Sequence, residues 1–170
     1  HVLGIQNLLV VHSEEMSQGD HSDAKSVDDL DEVGLLQAIA GLENGKDLGG
    51  FDLDGIPSFF TGCSIAPYAD DKALGEELAA AKKKVAAGAR YVLTPPVFDI
   101  EKFPAFLNRV KELGVPVIPT VFLLKSLAIA QYIANSEPGA HISDDLLRRI
   151  STSADREREG IQIAGAAIPP

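Results

Sequence analysis

Residues 70–96 read DDKALGEELAAAKKKVAAGARYVLTPP, and this stretch decides the fold. Its alanine- and lysine-rich part, Asp70–Ala87, predicts a helix, and Gly88 stands at the usual position for ending one. Tyr91–Leu93 then predicts a short strand, which the prolines at 95 and 96 should stop because proline donates no hydrogen bond to a sheet ladder. A helix that leads directly into an apolar strand is typical of α/β proteins.

The same alternation runs along the rest of the chain. The further predicted strands are Gln6–Val11, Phe59–Ala66 and Val115–Leu123, and the further predicted helices are Val27–Leu42, Ile100–Leu113, Ser126–Asn135, Ser143–Ser151 and Ala154–Ile168. Apolar strands alternating with helices indicate a parallel sheet. An open sheet of this size leaves two exposed edges, whereas an eight-stranded barrel leaves none. We therefore predict an α/β fold of the (β/α)8 TIM-barrel type, as one partial-barrel domain of about four βα units over residues 1–170. A small doubly wound sheet is the competing interpretation.

Composition excludes several classes of function. The net charge of −10 argues against nonspecific binding to nucleic acid, which needs a dense basic surface. The apolar stretches are too short to cross a membrane. No signal peptide is evident, and the single cysteine, Cys63, fits a reducing compartment, so a cytoplasmic location is expected.

Polar or conformationally special residues follow each predicted strand. They are His12-Ser13-Glu14, Pro67-Tyr68, Thr94-Pro95-Pro96 and Lys125-Ser126. Ligands of parallel α/β proteins bind at the carboxyl ends of the strands, so these segments are where a site is expected. A metal site is not predicted, because His12, Asp20, His21 and Asp23 match no common ligand spacing.

Three segments together resemble the methylenetetrahydrofolate reductase family. The first runs from Asn7 to Leu36 and includes Gly19-Asp20-His21-Ser22-Asp23-Ala24-Lys25. The second is Lys84–Asp99, with its Ala-Gly-Ala turn, Thr94 and an aromatic-aspartate pair. The third comprises Ile118–Ser126 and the later Ile142-Ser-Asp-Asp-Leu-Leu. These segments resemble the fourth, sixth and seventh units of that family's barrel, and the resemblance covers nearly the whole chain.

That resemblance implies a (β/α)8 barrel that binds FAD and reduces 5,10-methylenetetrahydrofolate to 5-methyltetrahydrofolate in one-carbon metabolism. It also implies that the family's strands one to three and eight have no counterpart in these residues, and neither does the catalytic glutamate of its first strand. An oxidoreductase activity is therefore expected only of a complete protein. Whether the protein takes electrons from a donor subunit and whether it self-associates both stay open.

Residue by residue, the resemblance assigns a catalytic role to Glu14, at a position where the family has an aspartate beside the flavin and the pterin. It assigns cofactor binding to Asp20, His21, Tyr68, Glu77 and Lys84, and substrate binding to Thr94 and Phe98. Each role has a simpler alternative. Glu14 would be a solvated loop acid, Tyr68 a half-exposed loop residue, and Lys84 a lysine favoured by the dipole at a helix carboxyl end.

Two positions depart from the family pattern. Ser13 replaces a glycine, and Pro95 replaces the glutamine that hydrogen-bonds the folate pterin. Proline offers neither a side-chain amide nor a backbone N–H, so that contact is lost. A second hypothesis follows, in which the chain is a non-catalytic or degenerate barrel homologue that acts as a scaffold or partner subunit.

Overall fold

The computed structural model describes residues 3–12, 23–25, 27, 29–67, 70–136 and 139–167. The strands are β1 (Asn7–Val10), β2 (Phe60–Ser64), β3 (Tyr91–Pro96) and β4 (Val117–Thr120), and they form a four-stranded sheet in the order β1-β2-β3-β4. The helices are α1 (Glu32–Glu43), α2 (Asp71–Ala86), α3 (Phe103–Val110), α4 (Leu127–Ser136), α5 (Asp144–Thr152) and α6 (Arg156–Ala166). The predicted α/β fold of partial-barrel type is confirmed.

The chain divides into two compact units, residues 1–64 with 80–91 and residues 65–79 with 92–170. A single domain over the whole chain stays a prediction.

In the first unit, β1 and β2 pair in parallel, with Asn7 opposite Phe60 and Val10 opposite Cys63. Successive side chains of a strand point to opposite faces. Val10 and Cys63 are therefore buried on one face, while Leu9 and Phe60 on the other face are 39% and 44% exposed. The sheet of this unit is thus covered on one face and largely open on the other, as expected of part of a barrel wall.

The Tyr91 side chain covers part of that open face. Its ring stacks on Phe60 with the ring centroids 5.2 Å apart, and its hydroxyl donates to the carbonyl oxygen of Leu8 at 2.9 Å. Gly62 makes room for it, because a Cβ atom there would lie 2.3 Å from the tyrosine ring. Any larger residue at position 62 would displace the ring.

In the second unit, β3 and β4 also pair in parallel, and a core of eight buried residues packs around Leu124 and Ile150. Helix α6 lies very close to this core, since a Cβ atom at Gly160 would come within 2.2 Å of the Leu124 carbonyl oxygen. Helix α5 starts at Asp144, one residue from its predicted start, because Ser143 caps it and the Ser143 hydroxyl accepts from the N–H of Leu146.

Strand β3 corrects one prediction, because it continues through both prolines instead of stopping before them. The pairing with β4 shifts register between Leu93 and Pro96. Within that shift the N–H of Thr120 donates to the hydroxyl of Thr94, and the ladder resumes where the N–H of Val97 donates to the Thr120 carbonyl oxygen. No N–H is needed from position 95 or 96, so the prolines are tolerated.

Two buried threonines make a matched test of this hydrogen bonding. Thr61 and Thr94 are each 2% exposed, yet among the described residues the Thr61 hydroxyl has no hydrogen-bond partner. We expect Thr61→Val to raise the free energy of unfolding by about 1 kcal/mol, because it removes an unsatisfied polar group. Thr94→Val should lower it by about 1–3 kcal/mol, because it leaves the Thr120 N–H unpaired. Urea unfolding of both variants measures the difference, and a loss of stability in Thr61→Val would contradict it.

Candidate functional site

A cavity of about 180 Å³ lies in the second unit at the carboxyl end of β3. Pro67, which follows β2, also lines it, as do the first turns of α2, one side of α3, and the segment after α4. Its walls are mainly apolar: Pro67, Leu74, Pro96, Val97, Phe98, Phe103 and Phe106. The position agrees with the rule that ligands of parallel α/β proteins bind beyond the carboxyl ends of the strands.

Phe98 is one of the predicted substrate residues, and the structure places it in the wall of this cavity. The residue is 7% exposed and belongs to the buried core around Leu124. Its ring therefore lies between the cavity and the buried core of the unit. Binding of a substrate by Phe98 stays a prediction, but the residue has the access to a cavity that such a role requires.

Charged side chains stand at the mouth of the cavity. Asp99 accepts from the N–H of Lys102 at 3.1 Å and lies 3.2 Å from the Lys102 ammonium. Partial burial raises the pKa of Asp99, but the hydrogen bonds and charge of Lys102, together with the charge of His141, outweigh it, so the pKa lies below its ordinary value. Asp99 is therefore an anion held by the turn that precedes α3.

Thr94, the second predicted substrate residue, is turned into the sheet. Its hydroxyl donates to the carbonyl oxygen of Pro95 at 2.8 Å and accepts from the N–H of Thr120 at 3.2 Å. The hydroxyl proton is thus already used inside the protein, and within the described part of the chain the second lone pair of the oxygen has no partner. The sequence identified Thr94 as a candidate residue but did not show that its hydroxyl bonds within the protein.

Pro95 packs against Gly139, in the segment that follows α4. A Cβ atom at Gly139 would lie 2.9 Å from the Pro95 ring and 2.7 Å from the side chain of Ala66. The proline therefore fits closely against the segment that follows α4. A glutamine in its place would need a different arrangement of that segment.

Glu77, a predicted cofactor residue on α2, bonds to the end of a strand. Its carboxylate accepts from the N–H of Ala66 at 3.1 Å, just beyond β2. The contact holds the strand end against its own crossover helix. One carboxylate oxygen is thus engaged within the protein, and the other has no hydrogen-bond partner among the residues that the structure describes.

Lys84, the other predicted cofactor residue that the structure describes, is buried in an ion pair. It is 7% exposed, and its ammonium lies 2.7 Å from the carboxylate of Glu32 in the first turn of α1. The two residues are 52 positions apart in the chain. Glu32 was missed by sequence reasoning, because an acid in the first turn of a helix is ordinary and nothing local marks its partner.

The remaining predicted site residues, Glu14, Asp20, His21 and Tyr68, lie outside the described residues. In the parts of the chain that the structure does describe, no group of three histidine, cysteine, aspartate or glutamate side chains is arranged to hold a metal ion. No helix in those same parts is long and apolar enough to cross a membrane.

Comparison with known proteins agrees with the fold. A family model described as methylenetetrahydrofolate reductase matches residues 1–168. The chain therefore belongs to the methylenetetrahydrofolate reductase family, and the resemblance read from the sequence is confirmed. No curated protein matches the chain.

One similar solved structure is that of an uncharacterized protein from Clostridium thermocellum that binds two copies of 5-methyl-5,6,7,8-tetrahydrofolic acid. The two structures superpose with a TM-score of 0.53 at 14% sequence identity, over 98% of this chain and 71% of that one. At this identity the similarity is one of fold.

The Lys84–Glu32 pair leads to a test with a built-in control. The Glu32 and Glu43 side chains are both 19% exposed, but their cationic partners differ, because Lys84 is 9% and Arg90 is 51% exposed. We expect Glu32→Gln to lower the free energy of unfolding by about 3 kcal/mol, because it leaves a buried ammonium without its counter-charge.

Glu43→Gln is the control and should cost about 1 kcal/mol or less, because Arg90 reaches water and the amide oxygen of glutamine can still accept from the Phe59 N–H. Urea denaturation at constant salt measures both losses. Equal losses, or a larger one in Glu43→Gln, would show that Lys84 is not a buried charge that depends on Glu32.

Proposed function

We propose that this chain is part of a flavin-dependent methylenetetrahydrofolate reductase that binds FAD and reduces 5,10-methylenetetrahydrofolate to 5-methyltetrahydrofolate. The observation that carries the proposal is the family match over residues 1–168, nearly the whole of the chain. The folate bound by the structural neighbour from Clostridium thermocellum supports a folate-type ligand. A cytoplasmic location belongs to the same proposal.

The described residues fit the cofactor in their chemistry. An ammonium has three N–H donors, and among the described residues Glu32 takes one from Lys84. The others can donate to oxygens of the ribose-phosphate portion of FAD, with the free oxygen of Glu77 available to a ribose hydroxyl. When bound, FAD supplies the carrier that accepts and passes on a hydride.

The chain's own part would be binding and orientation. Asp20 and His21 would shape the loop beside the cofactor, and Tyr68 would contact its ring. Glu14 would stand between the cofactor and the folate, where a carboxylate can bond the pterin ring. Phe98 would present an aromatic surface, and Thr94 a single acceptor, to the folate.

A second candidate is a non-catalytic homologue that retains the scaffold and supports a partner subunit. The observation that favours it is the packing of Pro95 against Gly139, at the position where the family has a pterin-binding glutamine. The Thr94 hydroxyl also donates within the protein, so these two positions offer no hydrogen-bond donor to a pterin. Such a homologue would pair with a second copy or with an electron-donor subunit.

Titration of the purified full chain with FAD tests the first proposal. We expect saturable quenching of flavin fluorescence and a shifted flavin absorbance band. The double variant Lys84→Gln with Glu32→Gln leaves no unpaired buried charge, and it should weaken FAD binding about tenfold because it removes a charge-assisted contact.

Lys72→Gln is the matched control, because Lys72 lies on the same helix with its side chain 88% exposed, and its FAD affinity should equal that of the unaltered chain. Absence of flavin binding by the unaltered chain would overturn the first proposal. Flavin binding without any affinity for methylenetetrahydrofolate would favour the second candidate.

A further inference from the structure

The cavity beyond β3 has the size and walls of a site for one aromatic ring. A cavity of about 150 Å³ lined by leucine, isoleucine and phenylalanine is enough to bind benzene, and this one is about 180 Å³. The rings of Phe103 and Phe106 lie with their centroids 5.7 Å apart, and Phe98 adds a third aromatic wall. Larger ligands need about 300 Å³ or more, so only part of one would enter.

Two of the carboxylates around the cavity are already engaged. Both oxygens of Asp99 face Lys102, one toward its N–H and the other toward its ammonium. Asp70 accepts from the N–H of Ala73 and so caps the first turn of α2. Asp99 is thus already neutralised by Lys102, and Asp70 already serves as a helix cap, so neither residue is a dedicated site for a positively charged ligand.

Arg109 differs from these groups because most of its donors are unused. Among the described residues, one guanidinium nitrogen bonds to Asp71 at 3.0 Å, and the Asp71 side chain is fully exposed. A surface ion pair of this kind contributes little, since water screens it. A guanidinium has five N–H donors in a planar fork that matches a carboxylate, so Arg109 can bind a second anion.

From these features we propose that the cavity binds a small aromatic carboxylate. Its ring lies among Phe98, Phe103 and Phe106, and its carboxylate bonds to the guanidinium of Arg109. All of the lining residues that the structure describes belong to the second unit. Phe98 also has a proposed role toward the folate, but the flavin and Lys84 take no part here, so benzoate binding and FAD binding can fail separately.

Benzoate is the probe, measured by isothermal titration or by ligand-observed NMR with the full chain. A ligand of this size is expected to bind with a Kd on the order of 1 mM or tighter. Benzyl alcohol, which keeps the ring and lacks the charge, should bind about tenfold more weakly, and acetate, which lacks the ring, should not bind measurably.

Arg109→Gln should weaken benzoate binding about tenfold while leaving benzyl alcohol unchanged. Arg148→Gln is the matched control, because Arg148 forms an exposed ion pair with Asp145 in the same unit, away from the cavity. Ala105→Trp, at an exposed lining position, should block the cavity and abolish binding of both probes without touching Arg109.

The proposal is overturned if benzoate does not bind saturably, or if Arg109→Gln and Arg148→Gln weaken it equally. Unchanged binding in Ala105→Trp would overturn it as well, because the ring would then lie elsewhere. Circular dichroism of each variant shows whether it is folded. If Arg109→Gln fails to fold, Arg109→Lys replaces it, because lysine keeps the positive charge but lacks the planar guanidinium that pairs with a carboxylate.

Discussion

Parallel pairing of the strands is the constraint from which the rest of this molecule follows. A parallel pair must be joined by a crossover, and here helices supply it, so each strand end is followed by a loop and a helix start. In the second unit this places Pro96–Asp99 beside the first residues of α2 and α3. The covered faces of the strands form the core, and the strand ends are left to bind ligands.

The predicted ligand residues have contacts that stabilise the fold, in addition to their proposed roles in binding. Glu77 bonds to the segment that follows β2, and Thr94 joins β3 to β4. Away from the strand ends, Lys84 in the last turn of α2 neutralises Glu32, so the predicted ligand residues also stabilise the fold. Groups with spare hydrogen-bonding capacity are the ones suited to ligands. Within the described residues, Lys84 and Arg109 each keep N–H donors beyond their one ion pair, Lys84 for a proposed cofactor and Arg109 for a ligand in the cavity.

The sequence predicted the order of elements because each depends on local signals. Ser143 marks the start of α5, and Gly114 marks the end of the turn after α3 with a positive φ of 68°. What depends on distant residues could not be predicted. The prolines of β3 are tolerated only because Thr120 bonds to the Thr94 side chain, and the partner of Lys84 lies 52 residues away. The α1 helix starts at Glu32 and not at the predicted Val27, because the Asp31 side chain caps it.

The most direct measurement for the central claim is amide hydrogen exchange of the full chain with and without FAD. Binding beyond the carboxyl ends of the strands predicts slower exchange in residues 65–67, 94–99 and 120–126. The segments that enter β2 and β4, residues 57–59 and 114–116, should keep their rates. Slowing confined to those entering segments, or no change in either set at saturating FAD, would contradict a ligand site at the carboxyl ends.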